Sequence, residues 1–192
     1  MDLVGICNAA LVAAGVDPIQ SYDASESHTA EVCVIQLPLV RDVVLGDLHW
    51  RFATGRWKVA EDANPPTWGK AHRYLRPADT ITVRDASDGT ESLTDWALEG
   101  NYVVTDQASP IYLLTTDRVT DVGLWPPGFC SSVAARLAAF FALEFRESRT
   151  LHDAMMHLYE VELGRGGGAD QSQAAPAFYL GKAVDAVRNM RR

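Results

Sequence analysis

A thiol near the start of an apolar helical run, two histidines a few residues apart and a cluster of glycines are the residues of this chain best placed to do chemistry. Spacing tests each of them. Cys130 follows Pro126-Pro127-Gly128-Phe129, where the positive end of a helix dipole would lower a thiol pKa. A nucleophilic cysteine also needs a positioned base, and nothing in the sequence ties any of the histidines, at 28, 49, 72, 152 and 157, to Cys130. Cys130 therefore reads as a packed thiol. His152 and His157, in HDAMMH, are five apart, whereas a helix brings i and i+4 to one face for a shared metal. The glycines of GRGGG, residues 164–168, follow a helical pattern instead of a strand and lack the Gly-Lys-Ser/Thr ending of a phosphate loop. Asp and Glu are plentiful, but no pair is singled out as general acid and base. The expectation is a protein with no catalytic residue, no metal site and no cofactor.

The remaining distinctive chemistry is aromatic. Tryptophans stand at 50, 57, 68, 96 and 125, and HWRFATGRWKVAED, residues 49–62, combines two of them with a phenylalanine and several cations. Flat aromatic surfaces stack on nucleobases, but that reading needs a basic stripe. The chain has 25 acids against 17 Lys and Arg, a formal charge of -8, which argues against general binding of phosphate backbones. Aromatic side chains with arginine are also what anchors protein interfaces, and that is the better reading here.

These residues must be positioned by a folded core. With 192 residues, 47% hydrophobic and 22% charged, the chain is expected to form one globular domain, or one domain with an insertion. No apolar run reaches the roughly 18 residues that span a bilayer, so no membrane partner is expected. The N-terminal MDLVGICNAALVAAG carries an acid where an export signal carries positive charge. Three widely spaced cysteines, Cys7, Cys33 and Cys130, fit reduced core thiols made in a cytosol better than disulfides.

Periodicity predicts the elements. Leu3, Ile6, Cys7, Ala10, Leu11 and Ala14 have helical spacing, with Gly15 as the stop. A second helix is predicted from the Asp23/Glu26 capping pattern to about Leu45, apolar around much of its circumference and bent at Pro38. From about Lys58, after which NPPTWG breaks the chain, short strand-like segments follow: YLRP, TITVRDA, DWALEG, NYVVTD and IYLLTT. Gly100-Asn101 marks a hairpin and SDGT, residues 87–90, a turn. Pro126-Pro127 opens a third helix with Val133, Leu137, Phe141 and Phe145 on one stripe. A fourth carries Leu151, Met155, Leu158 and Val161 on its inner side until GRGGG ends it. The expected fold is α+β, mainly α. A bundle of about four helices (residues 1–57 and 117–163) would hold a small antiparallel β insertion (58–116) between helices two and three, with a flexible C-terminal arm (164–192). The arm ends with Lys182, Arg188, Arg191 and Arg192 against Asp185 and reads either as a mobile or partner-ordered arm or as a disordered end with no role.

Taken in order, the stretch ICNAALVAAGVDPIQSYDASESHTAEVCVIQLPLVRDVVLGDLHWRFATGRWKVAE resembles the opening of the tail tubular protein A family, the head-to-tail adaptors of short-tailed bacteriophages. The matching positions are Asn8, Ala9 or Ala10, Leu11, Gly15, Ile19, Ser21, Arg41, Asp42, Leu45, His49, Trp50, Phe52, Ala53 and Arg56. The likeness continues through RYLRPADTITVRDA and LEGNYVVTD to IYLLTTDRVTDVGLWPPGFCSSVAARLAAFFA. Arg76 before Pro77 and the GRGGG interruption depart from the family's pattern. The resemblance implies a structural protein of the virion, made in the host cytoplasm and assembled as a ring of twelve copies. That ring would lie between the portal protein and a tail nozzle or tail completion protein, and genomic DNA would pass through it without sequence-specific contact. In that setting the junction cluster is expected to fix the β insertion to the bundle and to the adjacent subunit, with Arg41, Asp42, Trp50, Arg51 and Arg56 as the interface residues and purely intrachain packing as the alternative for each; Lys182, Arg188, Arg191 and Arg192 are those of the arm. The alternatives are a host helical scaffolding or regulatory protein and, weakest, a cysteine-dependent enzyme.

Overall fold

The computed structural model describes residues 1–172; Lys182, Arg188, Arg191 and Arg192 lie outside the described residues. The element order is α1 (Leu3–Ala13), α2 (His28–Asp47), β1 (Thr54–Val59), β2 (His72–Leu75), β3 (Thr80–Ser87), β4 (Trp96–Glu99), β5 (Tyr102–Thr105) and β6 (Ile111–Asp117). A 3-10 turn (Val122–Leu124), α3 (Pro127–Glu144) and α4 (Arg149–Ser172) complete it.

The helices start and stop for identifiable reasons. Asp2 caps α1 by accepting from the Gly5 amide at 2.8 Å, and Gly15, at φ 71°, turns the chain out of it, a conformation that costs glycine least. The second helix begins at His28, not Asp23, because Ser27 is its cap. The two acids expected to cap it build the preceding loop. Asp23 accepts from the Ser25 amide at 2.9 Å, and the Glu26 carboxylate reaches back to the Gln20 and Ser21 amides at 2.8 and 2.7 Å.

Pro38 lies inside α2 without ending it. A proline cannot donate to the carbonyl four residues earlier, here that of Val34. The Tyr22 hydroxyl donates to that carbonyl instead, at 3.3 Å. Burial, chiefly, pushes the Tyr22 phenol up to about 12.

Around α3 the other helices assemble. Its buried face runs from Phe129 through Val133 and Leu137 to Phe141, with alanines between, and meets Ile6, Ala10 and Leu11 of α1, Cys33, Leu37 and Val44 of α2, and Tyr159 of α4 in one core. Each such large side chain contributes about 1.5–3 kcal/mol on burial. On α4, Tyr159 is the buried aromatic and Leu158 is exposed, so its inner face is rotated by about one residue from the predicted stripe.

GRGGG does not end α4, which continues to Ser172. The reason is contact between backbones: a Cβ built on Gly128 would lie 2.5 Å from the Gly166 Cα. Glycine at both positions lets α3 and α4 touch there, and that packing overrides a poor intrinsic helix propensity. Residues 164–172 are therefore helix, correcting the expectation that the arm begins at 164.

The strands correct the expected fold class. They form two three-stranded antiparallel sheets, ordered β1-β6-β3 and β2-β5-β4, and with 44% of the described residues in helix and 20% in strand the fold is mixed α+β instead of a mainly helical bundle with a small insertion. Strand β1 begins at Thr54, so Gly55, Arg56 and Trp57 belong to the sheet, where Gly55 faces Thr115 of β6. Tyr74 and Val103 from one sheet meet Val83, Ala86, Ile111 and Leu113 from the other in a buried cluster of their own. A shared apolar filling is what lets two sheets stack. The predicted hairpin is present: β4 and β5 pair antiparallel, Glu99 opposite Tyr102, across Gly100 at φ 60°.

Candidate functional site

The junction segment His49–Trp57 divides its side chains between inside and outside. Trp50 is fully buried, its indole Nε1 donating to the Val44 carbonyl at 2.8 Å. It packs edge-on against Phe129 at 5.1 Å between ring centroids, Phe52 meets the same ring at 4.9 Å and Trp125 at 5.1 Å. Trp50 is thus a core anchor, and the expectation that it faces a partner is corrected: the desolvated pocket that would make a tryptophan an interface anchor is supplied within the chain. Arg51 and Arg56 point outward and are exposed.

Arg41 and Asp42 form an ion pair at 2.8 Å. Asp42 also accepts from Arg118 Nε at 2.9 Å, and the Arg118 amide donates to the Asp79 carbonyl at 2.7 Å. This chain of contacts fastens α2 to the segments beside β3 and β6. Of the five junction residues expected at an interface, the structure uses Arg41 and Asp42 to hold helix to sheet, buries Trp50, and leaves Arg51 and Arg56 exposed with no ion pair among the described residues.

The larger unburied feature lies on α2 itself. Its inner stripe is Ala30, Cys33, Leu37, Val40, Val44 and Leu45. A second stripe at i, i+4 and i+8 faces out: Ile35 is 54% exposed, Leu39 57% and Val43 43%. Leu143 of α3, also 43% exposed, extends it across a groove of about 450 Å³ that Phe140 and Met156 help line. Apolar residues around much of its circumference predict a helix buried on more than one side, whereas within one chain it is buried on one. Large contiguous apolar patches are candidate interaction surfaces.

The residues considered for chemistry are scattered. Cys130 is buried, and desolvation pushes its thiol above the ordinary value, disfavouring the reactive thiolate. Cys7 and Cys33 are fully buried free thiols; contact with Cys33 and burial push the Cys7 thiol up. His152 pairs with Asp153 at 3.0 Å, while the side chain of His157 is 80% exposed. Among the described residues no group of three His, Cys, Asp or Glu could hold a metal ion, and no helix is long and apolar enough to cross a membrane. A cleft of about 700 Å³ lies beside the Pro65-Pro66 loop, whose Trp68 is 89% exposed. Its charges neutralise one another: Lys70 lies between Asp95 and Asp106, and Arg73 meets Asp62 at 3.0 Å. Nothing there resembles a nucleophile with its base.

No protein-family model matches the chain, and no curated protein matches it either.

Sequence reasoning missed two things. The outward stripe was legible as a second series of apolar residues, 35, 39 and 43, out of step with 33, 37, 40 and 44. Arg84 carries no sequence signal, because its orientation depends on strand register.

Proposed function

We propose that this chain is a bacteriophage head-to-tail adaptor. In this reading, identical protomers close into a ring, twelve-fold by the family resemblance, between the portal and the tail nozzle or tail completion protein. The ring is a conduit for DNA and helps retain the packaged genome. The work is mechanical, and no bond is made or broken.

The observation that carries the reading is the Ile35, Leu39 and Val43 stripe. An apolar helix face that one chain leaves open is what a protomer offers a neighbour, and a ring needs a heterologous contact that repeats and closes. The ordered series of residues resembling tail tubular protein A supports the identity of the assembly. The charge of -8 suits a lumen along which DNA slides without sticking.

Negative-stain imaging of the chain mixed with the portal of the same phage tests this. The expected image is a ring stacked on the portal. Leu39→Glu is expected to abolish that ring while changing folding stability by no more than about 0.5 kcal/mol, as for an exposed position. A chain absent from virions and unable to form rings on portal would refute the reading and favour a host scaffolding protein.

A further inference from the structure

The junction carries positive charge that no described carboxylate pairs. His49, Arg51, Thr54, Arg56, Arg84 and Leu114 line a recess of about 340 Å³. Among the described residues no carboxylate pairs with Arg51, Arg56 or Arg84, whereas Arg41, Arg73 and Arg118 are all paired. In a chain with an excess of acids, three arginines that no described carboxylate pairs converge on one recess.

Arg84 is presented by a β-bulge. Val83 lies opposite Thr115 and Asp85 opposite Leu114, which leaves Arg84 as the extra residue between them. Bulges re-aim a side chain at the cost of ladder pairing. The guanidinium Nη2 donates to Thr54 Oγ1 and to the Thr115 carbonyl, both at 2.6 Å, and Nε is buried with no partner. Burial first, and the Arg56 charge second, pull this guanidinium below its ordinary value; Asp117 opposes them. Asp117 is already engaged, accepting from Trp57 Nε1 at 2.9 Å and Thr115 Oγ1 at 2.7 Å. The wall is also held from behind, since the Asp170 carboxylate near the end of α4 accepts from the Arg51 amide.

We infer that this recess binds a carboxylate-bearing segment of a second copy of the chain, with Arg56 and Arg84 taking the carboxylate oxygens. The inference rests on the self-assembly proposed above. Guanidinium groups match carboxylates bidentately, and the acidic surplus of every other copy supplies the ligand. A ring contact joins two different surfaces of the protomer, so a basic recess on one and acids on the other fix its direction. Duplex DNA is the less suitable occupant, because following a phosphate backbone takes an extended basic stripe, and here the charge is confined to one recess.

Carbodiimide coupling decides the matter, since it joins a lysine amine to a carboxylate in contact with it. Isotopically light and heavy R56K chains, mixed and assembled on portal, are expected to give light-heavy cross-links from position 56 to an acidic peptide, mapped by mass spectrometry. R56Q and R84Q are each expected to lower the ring fraction at least tenfold at physiological salt; R56Q, at an exposed site with no internal bond, should melt like the parent. Rings that form equally well with both variants, or cross-links confined to one chain, would overturn the recess as a contact while leaving the ring intact. Binding of a labelled 20-base-pair duplex that R56Q abolishes would assign the recess to DNA instead. If the parent chain makes no ring at all, the adaptor reading itself falls.

Discussion

The helical half and the sheet half of this molecule solve the burial problem in opposite ways. The bundle gathers Trp50, Phe129, Phe141 and the aliphatic faces of α1, α2 and α3 into one large core and still has apolar residues left over on the outside of α2. The paired sheets have a core of six buried residues and hold their periphery with polar contacts, such as Arg73 to Asp62 and Lys70 to Asp106. Surplus apolar surface gives affinity without direction, whereas fixed charges give direction with little net affinity. The two halves meet at the junction, where α2 leads into β1 and Arg56 and Arg84 line one recess. The difference teaches that stickiness and selectivity come from separate parts of the chain.

Three changes of decreasing size would break or sharpen that comparison. Phe129→Ala removes the ring against which Trp50, Phe52 and Trp125 all pack and is expected to cost about 3–5 kcal/mol in urea unfolding. Amide exchange should then show Val103 and Leu113 keeping protection in urea that has already opened α3. Simultaneous loss would mean that the halves are one cooperative unit.

The glycines of α4 offer a finer contrast. A Cβ at Gly166 would lie 2.9 Å from the Gly128 carbonyl carbon and oxygen, while Gly164 and Gly168 have nothing within 4 Å. Gly166→Ala is expected to destabilise by about 1–3 kcal/mol, because backbone cannot move aside as a side chain can. Gly164→Ala and Gly168→Ala should each stabilise by up to about 1 kcal/mol. Thermal melts that rank all three alike would deny the helix contact.

The smallest effect is alkaline. Tyr22 is held up to about 12 in the folded chain from an ordinary 10.0, so between those values the unfolded chain loses its proton while the folded one keeps it. The sign follows from linkage: stability present below pH 10 falls as pH rises toward 12. Tyr22→Phe, which also removes the bond to the Val34 carbonyl, should be less stable at pH 8 and show a shallower decline above pH 10. Equal slopes for the two proteins would remove Tyr22 from the account.

Local patterns made most elements legible. The stripes of α1 and α3, the Gly100-Asn101 hairpin and the turn at Gly89 all follow from spacing and from residues that tolerate positive φ. What periodicity could not convey was long-range. The pairing of β6 with both β1 and β3 decides that six short strands make two stacked sheets, and no window of sequence contains it. Gly166 reads as a helix breaker until Gly128 is known to lie against it. Arg51 and Arg56 were legible as outward cations, but Trp50 looked the same in sequence and lies at the centre of the core. Arg84 is placed by a register slip that composition does not reveal.

The hydrogen bond from the Arg51 amide to Asp170 spans 119 positions, and it orders events during synthesis. All the strands, β1 to β6, are translated before α3 emerges, so the stacked sheets can close while the ribosome is still at work. The faces of α1 and α2 must wait, uncovered, for α3, and the junction loop is not secured until the last turns of α4 are made. In a growing chain the later-made helices are therefore the latch of the earlier ones.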